Sequence, residues 1–175
     1  MACMCINTAD YCAKLTTELE AKVKLNMTTT QAEAIQFTTV RDIYQSLIPT
    51  TSQLVAKRLD VALQPAFNAM IKVNWGTVQF VGDQSDYINT IDVHLRHIVP
   101  TIKVTLLSTG HQRFMLDKVV KFVTEKYMEC IYKCKPISEI GAEQMLLDTH
   151  ALKTILLALP NVGQETGEKV PVPAR

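Results

Sequence analysis

The side chains able to do chemistry are few and scattered. Asp148, Thr149 and His150 stand in a row inside "GAEQMLLDTHALKTILLALP", residues 141–160. A carboxylate beside an imidazole is the core of a general-base device. On a helix, however, positions two apart face different directions, so Asp148 cannot orient His150 from the same helix. The stretch predicts a structural helix instead. Met145, Leu146, Leu152, Leu156 and Leu159 recur at threes and fours. Leu147, Ile155 and Leu157 widen the apolar stripe, which reads as a helix buried on most of its circumference. Gly141 reads as punctuation before the helix formers, and Pro160 ends it.

A metal centre is the next chemistry to weigh. His94 and His97 are three apart and Cys130 and Cys134 four apart, so each pair shares a helix face. Packed side by side, those helices would offer a His2Cys2 set for tetrahedral zinc. The spacing matches no zinc module, and cysteines on an apolar face are usually small buried hydrophobes. Lys133 and Lys135 flank Cys134 and would lower its pKa if it were exposed, making a reactive thiol. Lys118, Lys121, Lys126, Lys133 and Lys135 raise the option of an anionic membrane patch. Glu125 and Glu129 interrupt them, so a mixed solvated face is the reading. Carboxylates form no acid–base pair, and there is no nucleophile motif, phosphate-cradling glycine loop or HExxH. No catalytic, cofactor-binding or metal residue is therefore assigned, and no enzyme activity or cofactor is expected.

The elements that carry these residues are helices. The chain has 175 residues, 47% hydrophobic and 20% charged, with formal net charge +1. That composition fits one helical body and gives no electrostatic case for nucleic acid. No apolar run reaches the length of a membrane span, and the start "MACMCINTAD" has no basic region of a signal peptide. Five cysteines at irregular spacing suggest no disulfide framework. A soluble, cytoplasmic protein is the expectation.

The first stripe comprises Tyr11, Cys12, Leu15, Leu19, Val23 and Met27, with Asn7 or Thr8 as its N-cap. A second runs from about Gln31 to Trp75, from Ile35 through Leu47, Leu59 and Phe67 to Ile71. Kinks or short breaks are predicted near Pro49 and Pro65, with Gly76 as a left-handed C-cap. Residues 77–87 are the least helical part. Asp83 or Ser85 then caps a helix carrying Tyr87, Ile88, Ile91, Leu95, Ile98, Ile102 and Leu106, kinked at Pro100. Ser108 or Thr109 opens another that runs to "CKPIS". "NVGQETGEKVPVPAR" has no stripe and reads as a disordered tail. The expectation is an all-α fold of five or six long helices, an antiparallel bundle or stacked rod over residues 1–159, with a tail at 160–175.

Three stretches carry a family likeness: "NTADYCAKLTTELEAKVK", "NWGTVQFVGDQSDYI" and "YKCKPISEIGAEQMLLDTHALKTILLALP". In that order they resemble the vacuolar protein sorting-associated protein 53 family, subunits of the Golgi-associated retrograde protein complex and of its endosomal recycling relative. The likeness reaches about residue 160. It implies stacked helical bundles, no enzymatic activity and no small-molecule substrate. It implies tethering of endosome-derived vesicles at the trans-Golgi network, and endosomal recycling. The implied partners are sister tether subunits, with SNARE proteins and small GTPases beyond them, and membrane contact is indirect or peripheral. Family members are several times longer, so an internal fragment is expected, without the N-terminal coiled coil that joins the sister subunits. The alternatives are a generic helical interaction domain and a zinc- or thiol-dependent protein using Cys130 and Cys134.

Overall fold

The computed structural model describes residues 1–162, and all the regular structure among them is helical. The order is α1 (Ala2–Leu25), a short α2 (Thr29–Ala34), α3 (Thr38–Lys72), α4 (Asp86–Thr105), α5 (Thr109–Lys133) and α6 (Glu139–Ala158). A 3-10 turn, Leu159–Asn161, follows α6. The all-α reading holds, with five long helices and one short one among the described residues.

α1 packs along α3, and α3 also meets α4 and α5. The core is built from Leu59, Leu63, Phe67 and Met70 of α3, Ile88, Ile91, Leu95 and Val99 of α4, and Met115, Val119 and Val123 of α5. Each large apolar side chain fully withdrawn from water there contributes about 1.5–3 kcal/mol. That packing carries α3 through Pro49 and Pro65 as one continuous 35-residue helix, without the short breaks that are one of the two expectations there. A proline removes one backbone donor and crowds one turn, and burial on the same helix outweighs that local cost.

Several other expectations are corrected. Ile35 does not join the long stripe; it caps α2, and the chain is non-helical until Thr38. α1 starts at Ala2, so Asn7 and Thr8 lie inside it rather than capping it. Asn7 instead donates to the Thr105 carbonyl at 2.7 Å and accepts from the Leu107 amide at 3.1 Å. It clamps the loop that ends α4. α1 turns Ile6, Ala9 and Ala13 inward, while Tyr11, Leu15 and Leu19 are 65%, 45% and 51% exposed. Small alanines let two helix backbones approach closely, which selects that face over the one with larger side chains. α3 ends at Lys72 with Val73 in an extended conformation, and Gly76 is not left-handed. A Cβ at Gly76 would lie 3.1 Å from Pro136 Cγ, so close approach is what the glycine serves.

Both N-caps at Ser85 and Ser108 fall where the sequence places them. The domain boundary drawn after residue 159 falls inside the 3-10 turn. Lys103 Nζ donates to the carbonyls of Pro160 and Val162, the latter at 2.7 Å. The rest of the segment read as a tail, 163–175, lies outside the described residues.

Two carboxylates tie α1 to its neighbours, Asp10 to His111 of α5 and Glu20 to the start of α3. Asp10 is held below the usual carboxylate range chiefly by Lys14, with His111 assisting. Glu20 is held low chiefly by Lys24, and its other oxygen accepts the Phe37 amide at 3.1 Å where α3 begins. A carboxylate whose folded pKa is depressed stabilises the fold above its unfolded pKa and loses that contribution as pH falls through the folded value. Acidification from about pH 5 to about pH 3 should therefore lower the amide-exchange protection of Phe37. Protection of Phe37 that stays constant over that range would refute the assignment.

Candidate functional site

α6 answers the question raised by its Asp–Thr–His triplet by sending the three residues three ways. Asp148 is 0% exposed, Thr149 turns along the helix surface, and His150 faces solvent. Asp148 Oδ1 accepts the Ser85 amide at 2.8 Å and the Gln144 Nε2 at 3.3 Å. Its Oδ2 accepts the Ser85 hydroxyl and the Tyr87 hydroxyl, both at 2.7 Å. A buried carboxylate requires such a set of donors, because an unpaired buried charge is costly. The Tyr87 pKa is pushed far up, first by burial and then by neighbouring Tyr127, so its hydroxyl stays a donor. Thr149 Oγ1 donates to the Met145 carbonyl at 2.7 Å and lies 3.0 Å from the Tyr127 hydroxyl.

Three more positions of α6 grip the same loop. Gln144 Nε2 donates to the Asp83 carbonyl and its Oε1 accepts the Gly82 amide, each at 2.8 Å. Ser138, the N-cap, accepts the Gly141 amide at 3.0 Å and donates its own hydroxyl to the Trp75 carbonyl at 2.9 Å. The Ser138 amide donates to that carbonyl as well, at 3.1 Å. Gly141 is not punctuation: it sits within α6, and a Cβ there would be 2.2 Å from the Trp75 oxygen. Trp75 is buried, donates Nε1 to the Met70 carbonyl at 3.0 Å, and meets Tyr87 edge-on at 6.4 Å.

The result is a polar latch. Ser138, Gly141, Gln144 and Asp148 lie on one face of α6 and hold residues 75–87 against it. The arrangement positions backbone, and its carboxylate is saturated with donors. Two open clefts flank it, one of about 560 Å³ beside Asp83, Gln84 and His150 and one of about 720 Å³ beside Val81, Leu146 and Lys153, and the latch carboxylate lines neither. Sequence reasoning on the leucines missed it. The available signal was register: 141, 144 or 145, 148, 152 and 159 form one helical stripe, which puts Gln144 and Asp148 at core positions. The opposite face is correspondingly free. Leu146 and Leu157 are 72% and 69% exposed, so α6 is not buried around most of its circumference. Val81 of the loop lines one cleft with Leu146 and Leu147, and its neighbour Phe80 is 78% exposed.

The zinc set does not form. Among the described residues no three His, Cys, Asp or Glu side chains come together as a metal site. His94 is half-buried and His97 exposed on α4. Cys130 and Cys134 are buried, and Cys134 Sγ donates to the Cys130 carbonyl at 3.1 Å. Burial is the main influence on both thiols and pushes their pKa values up, in spite of Lys133 near Cys130. The flanking lysines therefore do not make Cys134 reactive. The lysine row also divides: Lys126 pairs with Asp60 at 3.4 Å and Glu129 at 3.9 Å. No helix among the described residues is long and apolar enough to cross a membrane.

Comparison with known proteins gives one consistent answer. The chain is 33% identical over 94% of its length to vacuolar protein sorting-associated protein 53 A of Arabidopsis thaliana. It is 29% identical over 98% of its length to the Caenorhabditis elegans homolog of vacuolar protein sorting-associated protein 53. The Saccharomyces cerevisiae protein of that name is 25% identical over 89% of the chain. The matched stretches cover 20%, 21% and 23% of those proteins, so the chain spans about a fifth of their length. No family model and no solved structure matches it. Over nearly its whole length, the latch and the loop it holds included, this chain belongs to the vacuolar protein sorting-associated protein 53 family.

Proposed function

We propose that this chain is a non-enzymatic helical scaffold segment of a vesicle-tethering complex subunit. In this reading it serves retrograde transport from endosomes to the trans-Golgi network and endosomal recycling. Sister subunits of the complex are its partners, with SNARE proteins and small GTPases reached through the assembly. It works from the cytoplasmic side of Golgi and endosome membranes as a peripheral component. The family relation supports the sorting role. One observation carries the scaffold reading: the latch fixes one face of α6 while Leu146 and Leu157 stay apolar and exposed on the other, with Val81 beside Leu146 and Phe80 exposed on the held loop. A rigid helix with a free apolar face is a surface for protein association.

Affinity purification from cells, followed by mass spectrometry, tests it. The unaltered chain should recover sister tether subunits. The double variant Phe80→Asp, Leu146→Asp should lose them by about tenfold or more, since buried anchors carry most of an interface's affinity. Its helix content and Trp75 fluorescence should be unchanged. Recovery of an unrelated partner set would favour the generic interaction-domain reading, and undiminished recovery by the variant would remove α6 from the interface.

A further inference from the structure

We propose that the groove between α3 and α5 docks a short acidic peptide segment through one apolar side chain. Pro49 and Ala56 of α3 and Phe114 and Phe122 of α5 give the groove an apolar lining. Its volume is about 260 Å³, below the range of small-molecule pockets and suited to one or two side chains. Ser52 lies at its floor with its hydroxyl already donated to the Ile48 carbonyl at 2.7 Å, so the floor offers no open polar group there. Phe114 is 38% exposed, an aromatic surface left facing solvent.

The rim supplies the charge. Lys118 and Lys121 stand on the α5 side, with the single carboxylate of the lining, Glu125, beside them. Lys118 Nζ folds over the Phe114 ring, 5.2 Å from its centroid, and among the described residues it forms no ion pair. Lys121 meets Glu125 at 3.7 Å, but the two side chains are 68% and 63% exposed. An exposed pair at that distance is weak and easily exchanged for a better carboxylate. Lys57 lies one turn beyond Gln53 of the lining and is also exposed. A concave apolar floor under Lys118, free of any ion pair among the described residues, and the weakly paired Lys121 complements an apolar residue flanked by Asp or Glu.

A membrane is the less fitting occupant. Recognition of anionic lipid needs a cluster of about four to eight basic residues. Here Lys126 is drawn off to Asp60 and Glu129, and Lys133 lies at the far end of α5. A flat bilayer surface also leaves a concave groove unfilled. This proposal is independent of the tether reading and of the α6 face, so its failure leaves that reading standing.

The test uses the whole chain and a panel of fluorescent nonapeptides, each with a central leucine, phenylalanine or tryptophan between glutamates. A central-glycine peptide and vesicles of phosphatidylserine and phosphatidylcholine are the comparisons. At least one apolar-centred peptide should bind with Kd below about 1 mM and shift the amide resonances of residues 49–56 and 114–125. Lys118→Glu with Lys121→Glu, and separately Ala56→Leu, which fills the groove without changing charge, should each weaken binding about tenfold or more. Circular dichroism and Trp75 fluorescence verify folding, and Lys118→Gln with Lys121→Gln replaces the reversal if it unfolds. Absence of any binding peptide overturns the proposal. So does binding indifferent to Ala56→Leu or to the glycine centre, and so does lysine-dependent binding to vesicles alone.

Discussion

Replacing Asp148 with Ala is expected to destabilise the fold by about 3–5 kcal/mol, because it leaves several buried donors without their acceptor. The carboxylate is the common acceptor for the Ser85 amide, the Ser85 and Tyr87 hydroxyls and the Gln144 amide. Each buried donor left without an acceptor costs about 1–3 kcal/mol, and rotation of the two hydroxyls recovers part of the sum. Asp148→Asn should cost less, about 1–3 kcal/mol, because one oxygen still faces the Ser85 amide and both hydroxyls can turn to accept. Urea titration gives the order Ala worse than Asn worse than unaltered, with Trp75 emission as a local reporter. In a body of this size the Ala variant should melt about 6–20 °C lower. Substituting Tyr87→Phe in the Asp148→Ala background should then add less than its cost alone, since the two share one network. A stability loss below about 1 kcal/mol for the Ala variant would show that water serves the donors and that the latch is not cohesive.

The second large effect turns on a sign. Gly141 lies within α6, and by helix propensity alone Gly141→Ala should stabilise by about 1 kcal/mol. The backbone oxygen of Trp75 stands 2.2 Å from where the new Cβ would go, and the Ser138 oxygen 3.1 Å from it. A main-chain atom cannot swing aside as a side-chain tip can. The loop and α6 must separate, which strains the two bonds from Ser138 to the Trp75 carbonyl. Overpacking costs about 1–3 kcal/mol and each such hydrogen bond about 0.5–1.5 kcal/mol. The net expectation is a loss of about 2–4 kcal/mol with a shifted Trp75 emission. A stabilised Gly141→Ala variant would mean that the loop does not lie against α6 in solution. Because the loop carries Phe80 and Val81, the same change should also disturb the apolar surface proposed for association.

His150 sets the contrast. It is exposed on α6 and stands apart from the latch, whose carboxylate faces the opposite way. The three adjacent residues of one triplet thus have a buried structural acceptor, a surface hydroxyl bonded along its own helix and a solvated imidazole.

The residues by themselves determined that the chain is helical, because period and capping are local. Apolar spacings of three and four mark the stripes, and Ser85 and Ser108 sit at helix starts where their backbone need not be helical. They also carried the family likeness, through stretches in α1, across the loop before α4 and along α6 to Pro160. The stripe they mark on α4 is the buried one, but which face of α1 and of α6 is inside they did not determine. α1 offers both an Ile6–Ala9–Ala13 face and a Tyr11–Leu15–Leu19 face, and only the neighbour's surface decides that the smaller one is buried. The prolines of α3 read as kinks or short breaks because their cost is local, whereas the packing that keeps the helix continuous comes from α1, α4 and α5. Asp148 shows the same limit most clearly. A carboxylate is tolerable at a core position only if donors converge on it, and two of its donor residues, Ser85 and Tyr87, lie 63 and 61 positions away along the chain. Only the tertiary fold brings them there, and in doing so it turns Leu146 and Leu157 out to solvent.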